Sequence, residues 1–186
     1  MGTTRGDTRQ RIQDVALELF AEKGYDKTSL REIAERLDVT KAALYYHFKT
    51  KEDILVSLVE DYLGQVDELV TWGQDQPATL ETRLELLARY SGLLAGGSTL
   101  FRFMHENQAS MRELSLGEAF KERMGVLIGM LRDKDAELKD QARCISALFT
   151  MHAGMVALAD APGDAEEKRI ACLEVAQELV TAAHKG

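Results

Sequence analysis

Between Thr40 and Lys51 the chain reads TKAALYYHFKTK, and this stretch holds the residues whose types and spacing could do chemistry. Lys41, Lys49 and Lys51 carry ammonium groups, Thr40, Tyr45 and Tyr46 carry hydroxyls, and His47 adds an imidazole, while Ala42 and Ala43 leave the backbone approachable behind small methyls. Such a set hydrogen-bonds anionic oxygens and flat polar edges without breaking a covalent bond. To act together, these groups must share a face. A helix capped by Thr40 turns about 100° per residue, which sends Leu44 and Phe48 to one side and Ala42, Tyr46 and Lys49 to the other, with Lys41, Ala43 and Tyr45 on the flanks. One side is apolar and the other small, aromatic and basic, which suits entry into the major groove of DNA. Alanine methyls can meet thymine methyls, Lys41 can reach guanine acceptors or phosphate, and the tyrosine hydroxyls can reach phosphate.

The elements that must position this helix are legible as periodicity. Asp7 can cap a first helix whose Ile12, Val15, Ala16, Leu19 and Phe20 keep helical spacing, with Gly24 ending it. Thr28 or Ser29 caps a short second helix, since Ser29 to Glu32 has the form of a capping box and Leu30, Ile33, Ala34 and Leu37 lie on one side. Asp38 and Val39 make a very short connection to the third helix, about Lys41 to Lys49. Two short helices joined so tightly form a helix-turn-helix, the second helix being the reader. N–H groups and hydroxyls near Thr28 and Thr40, together with Lys51, suit phosphate oxygens, and Arg5, Arg9 and Arg11 can add contacts from an N-terminal arm.

A long fourth helix follows Thr50, with Ile54, Leu55, Leu58, Val59, Tyr62, Leu63 and Val66 in register and a break at residues 73–76. Pro77 suits the first turn of a fifth helix that stops at Gly96 and Gly97. Helices over Ser98–Glu106 and Leu116–Arg132 are expected from dense apolar residues, then Asp140–Asp160 and Asp164–Ala183 on either side of Ala161-Pro162-Gly163. No alternating pattern of strands occurs. The expected fold is all-α: a three-helix helix-turn-helix domain over residues 1–50, joined through the long fourth helix to a helical domain over residues 51–186.

Charge supports this division. The chain of 186 residues has a net charge of −8, yet Met1 to Lys51 holds 10 Lys and Arg against 8 Asp and Glu, so it stands at +2 and the remainder at −10. A chain with one end facing phosphate shows such asymmetry. Cys144 and Cys172 have no ligand-like spacing and read as buried thiols of a reducing cytosol. No apolar signal core opens the sequence, and the longest uncharged run is Cys144 to Ala159, short of a membrane span. No metal, cofactor or membrane partner is expected. An enzyme is the first rival reading, but there is no Gly-rich phosphate loop and no HExxH, and the four histidines are scattered. An architectural DNA binder without a sensing cavity is the second.

Residues 28 to 55, TSLREIAERLDVTKAALYYHFKTKEDIL, resemble the helix-turn-helix signature of the tetracycline-repressor (TetR) family of bacterial regulators, most specifically in Val39 to Glu52. The resemblance implies a DNA-binding head fused to a ligand-binding and dimerisation domain. By position it assigns DNA contacts to Thr28, Thr40, Lys41, Ala42, Tyr45, Tyr46, His47 and Lys51, to which the helical face adds Lys49. Two residues depart from the family pattern, which often has glycine at Asp38 and at Ala42.

The resemblance also implies cytoplasmic repression of a palindromic operator, released by a small hydrophobic effector. Trp72, Phe101, Phe103, Met104, Met111, Met124, Met151 and Met155 are candidates to line an apolar pocket, with His105, Glu106 and His152 for polar contact. Twofold DNA binding requires a homodimer, and the last two helices are its expected interface. Ile145, Leu148, Phe149 and Val156 supply apolar bulk on the first of them, and Leu173, Ala176 and Val180 on the second.

Overall fold

The computed structural model describes residues 5–107 and 116–185, and among these it contains nine helices and no strand. In chain order they are α1 (Arg5–Lys23), α2 (Leu30–Arg36), α3 (Lys41–His47), α4 (Lys51–Gln74), α5 (Leu80–Gly96), α6 (Ser98–Glu106), α7 (Leu116–Leu131), α8 (Leu138–Ala157) and α9 (Ala165–Ala183). Contacts group the chain into two compact units, residues 1–62 with 99–117 and residues 63–98 with 118–186. Helix α4 therefore contributes its first half to one unit and its second half to the other.

In the first unit, α1 ends where Gly24 adopts φ +89°, a left-handed backbone that costs glycine nothing. The Thr28 hydroxyl then donates to the Leu19 and Gly24 carbonyls at 3.2 and 2.9 Å, closing the end of α1. Helix α2 opens with the expected capping box, Ser29 accepting from the Glu32 amide while the Glu32 side chain accepts from Ser29. Thr40 caps α3 through the Ala43 amide at 3.1 Å, and Thr50 and Asp53 cap α4 reciprocally. Each cap is worth about 1 kcal/mol, which matters for seven-residue helices that do not form alone. Tertiary burial supplies the rest: Ile12, Leu19, Phe20, Ile33, Leu44, Ile54 and Leu55 are all essentially inaccessible, at about 1.5–3 kcal/mol per large side chain. Phe20 packs edge-on to Tyr25 at 5.1 Å, and Phe103 from α6 packs on both. A buried Gln13 on α1 donates to Ser57 and Asp61 of α4.

In the second unit, α8 and α9 form a helical hairpin against which α5 packs. The two helices approach so closely that a Cβ on Gly154 would sit 2.2 Å from the Cys172 sulfur. Arg83 on α5, only 5% exposed, is anchored by Asp133 at 2.7 Å, and its guanidinium holds that carboxyl below the usual carboxylate range.

Three expectations about helix ends are corrected. Asp7 lies within α1, which begins at Arg5. Pro77 stands in the connection before α5, whose cap is Thr79 accepting from Thr82. Helix α8 starts at Leu138, ahead of Asp140, behind a Glu137 with no capping side-chain bond. Among the described residues no helix is long and apolar enough to cross a membrane.

Candidate nucleic-acid interface and sensor core

Helix α3 divides as its periodicity requires. Leu44 and Phe48 are 0% and 2% exposed, whereas Lys41, Ala42, Ala43, Tyr46 and Lys49 are exposed and Tyr45 and His47 half-buried. The Lys41 ammonium lies 5.3 Å from the Tyr45 ring centroid, and the Tyr46 ring meets His47 edge-on at 5.3 Å. These contacts order the long side chains on the outer face, lowering the entropy lost when they engage a partner. The turn before α3 is tight because Asp38 takes φ +54°, the conformation in which the family pattern often has glycine.

Other predicted contacts sit differently. Thr28 is buried, with its hydroxyl bonded to carbonyls of the α1 end. Lys51 reaches inward, its ammonium donating to the Tyr25 carbonyl at 2.7 Å and lying 4.2 Å over the Tyr25 ring. Lys49 donates to the Tyr45 carbonyl while remaining at the surface. The arginines proposed as an arm belong instead to α1, since that helix already runs from Arg5. The Arg9 guanidinium stacks 4.5 Å over the ring of Phe48, where it steadies the end of α3. Sequence reasoning missed this pairing because it joins residues 39 positions apart and follows no local rule.

The predicted pocket residues are divided between the two units. Phe101 packs edge-on against Tyr62 at 4.8 Å in the first unit, where Met104 is half-buried and Phe103 belongs to the core. Trp72 lies in a surface groove of about 410 Å3 under the Arg89 guanidinium, 4.1 Å from the indole. The side chains of His105, Glu106 and Met155, and all of Met111, lie outside the described residues. Met124 and His152 do come together, through Tyr90. The Tyr90 hydroxyl is 2.5 Å from His152 Nε2 and 3.3 Å from the Met124 sulfur, and Phe120 covers the imidazole edge-on at 5.7 Å. Burial pushes His152 down to about 4, so near neutrality its ring is uncharged where it hydrogen-bonds the Tyr90 hydroxyl through Nε2. Met151 is buried one residue away, beside a small void shared with Ser91, Leu94, Arg169 and Cys172. Tyr90 and Phe120 were not anticipated. The signal for Tyr90 was its place between Leu87 and Leu94, which aims a phenol along the core-facing stripe of α5.

Of the predicted interface residues, Leu148, Ala176 and Val180 are buried within their own subunit. Leu173 is half-buried, and Ile145, Phe149 and Val156 are exposed, as are Ile170 and Val175.

Residues 12–58 match the bacterial regulatory proteins of the tetR family. The fatty acid metabolism regulator protein of Bacillus subtilis is 30% identical over 136 residues, covering 69% of this chain and 70% of that protein. The chain belongs to the TetR family. It is a DNA-binding transcriptional regulator, and α3 is the second helix of its helix-turn-helix. The transcriptional repressor KstR2 of Rhodococcus jostii is another TetR-family relative, 31% identical over 150 residues and 70% and 71% of the two chains. Among solved structures, the fatty acid degradation regulator FadR of Bacillus halodurans superposes with a TM-score of 0.71 at 20% identity, over 96% of this chain and 97% of that one. A TetR-like regulator from Rhodococcus sp. RHA1 superposes with a TM-score of 0.72 at 16% identity, each chain covered in full. At these identities the likeness shows the fold.

Proposed function

We propose that this regulator represses transcription as a homodimer on a palindromic operator and is released by a small, mostly apolar effector. Residues 1–50 dock on DNA, and residues 51–186 pair the subunits and sense the effector. The observation that carries the reading is the outer face of α3, where Thr40, Lys41, Ala42, Tyr45, Tyr46, His47 and Lys49 stand on a short helix pinned by Leu44, Phe48 and Arg9. Repression is favoured by the relative named as a transcriptional repressor. An apolar effector is favoured by relatives named for fatty acid metabolism and degradation, and by the uncharged pair of buried Tyr90 and half-buried His152 among methionine and aromatic side chains.

Helix α4, common to both units, is one covalent route between sensing and docking. A small shift in it changes the separation of the two reader helices, and a duplex with fixed half-site spacing then accepts only one of them.

The test starts by selecting genomic fragments bound by the protein, which yields the operator and its neighbouring genes. On that operator, Lys41→Ala and Tyr46→Ala should each cost about 1–3 kcal/mol and narrow the gap between specific and random DNA. Equal losses on both DNAs would remove α3 from the reading role. Compounds that raise the melting temperature should also lower operator affinity; stabilisation without release would end the effector part of the reading.

A further inference from the structure

Helix α7 faces two ways within the second unit. Phe120 and Met124, one turn apart, form a first stripe: Phe120 covers His152 edge-on, and the Met124 sulfur lies 3.3 Å from the Tyr90 hydroxyl. Arg123 and Met130, two turns apart, form a second stripe about 90° round the helix, and this one meets the second half of α4. There the Arg123 guanidinium donates from Nη2 to Asp67 at 2.8 Å. Farther along α4, the Met130 methyl fills the place that a side chain on Gly73 would take. The ion pair is poorly suited to be a stabiliser alone. Asp67 is half exposed, and such pairs contribute little to stability, while the Arg123 Nε is buried without a hydrogen-bond partner, which costs stability. What the pair has is stiffness. Nη1 of the same guanidinium donates to the Ala119 carbonyl, one turn back on α7, at 3.1 Å, so the head group cannot swing without its own helix.

We infer that the Arg123–Asp67 pair is the hold through which α7 draws on α4, and that it sets how far a displacement beside Tyr90 and His152 weakens operator binding. This rests on the effector reading above and names the residues of this chain that carry it. A group entering beside Tyr90 and His152 has α7 as a wall, and a rigid helix pushed on one stripe moves on the other. Asp67 is a polar point at which that motion reaches α4. Six residues earlier on the same helix, Asp61 accepts from the buried Gln13 of α1, and Ser57 does likewise. A pull on Asp67 is thereby felt along a helix already tied to the helix-turn-helix domain.

No effector is needed to test the hold, because a larger side chain on the first stripe of α7 stands in for one. Phe120→Trp crowds His152 and Met124→Phe crowds Tyr90, each acting as a wedge. On the operator selected as above, each wedge should weaken binding about fivefold or more. In chains that also carry Arg123→Gln or Asp67→Asn, the same wedges should cost about twofold or less. Arg169→Gln is the control. Its guanidinium is similarly covered but joins α9 to Ser91 of α5 rather than to α4, so the wedge losses should persist in full beside it. Melts followed by circular dichroism accompany every chain, and Met124→Phe decides the matter where Phe120→Trp does not fold. Wedge losses that survive removal of the pair, that vanish equally with Arg169→Gln, or that never occur would overturn the hold. The effector reading stands or falls separately, on whether compounds that stabilise the protein also release it from the operator.

Discussion

His152 shows what a single half-buried group does to the molecule's response to acid. Its ordinary value near 6.5 falls to about 4 because burial disfavours the imidazolium. The unfolded chain therefore binds a proton between these values that the folded chain refuses. Stability associated with this residue is complete above about pH 6.5 and declines as the pH falls toward 4, by an amount on the order of 3 kcal/mol at most. Thermal melts from pH 7 to pH 4.5 should show this decline, and His152→Gln, which keeps a hydrogen-bonding amide beside Tyr90 without a titrating ring, should flatten it. An unchanged slope in that variant would mean that another group controls acid sensitivity. The pairing itself was only half legible in the sequence. His152 could be named as a polar group on an apolar helix, but its partner lies 62 residues away, and helical spacing says nothing about which stripes of distant helices meet.

At the scale of elements, short-range chemistry explains most of what the sequence disclosed. The Ser29 capping box, the Thr40 and Thr50 caps and the Gly24 terminus all act within a few residues, so each could be read directly. The starts of α5 and α8 fall a few residues from the expected ones because residue type alone does not rank neighbouring acidic and hydroxyl residues as caps. The outer face of α3 was readable because two buried residues, Leu44 and Phe48, fix its rotation. For Thr28 and Lys51 residue type advertised a polar group without saying which way it turns, and both side chains turn inward to carbonyls. The α2–α3 turn offers a direct test of local strain. With Asp38 at φ +54°, Asp38→Gly should stabilise the protein by about 1 kcal/mol, seen as a higher urea midpoint by circular dichroism, while Asp38→Ala should lower the midpoint.

The whole molecule carries excess negative charge, so its attraction to DNA depends on a few local cations rather than on its overall field. Each phosphate contact removed should reduce the slope of log affinity against log salt by about one. Lys49→Ala should do so. Lys51→Met should instead leave the slope unchanged and lower the melting temperature, since its ammonium is bound to the Tyr25 carbonyl and ring. A reduced slope for Lys51→Met would return that residue to the DNA surface. The division of the chain into two units was the least legible feature, because the first unit closes with α6, far along the sequence: Phe103 completes the cluster begun by Phe20 and Tyr25. This sets a rule for building hybrid regulators. Cutting after the helix-turn-helix and grafting it onto another sensor strips Phe103 from the head and bares an aromatic surface, whereas a graft that moves α6 with the head, as a second and separate splice, carries its own seal.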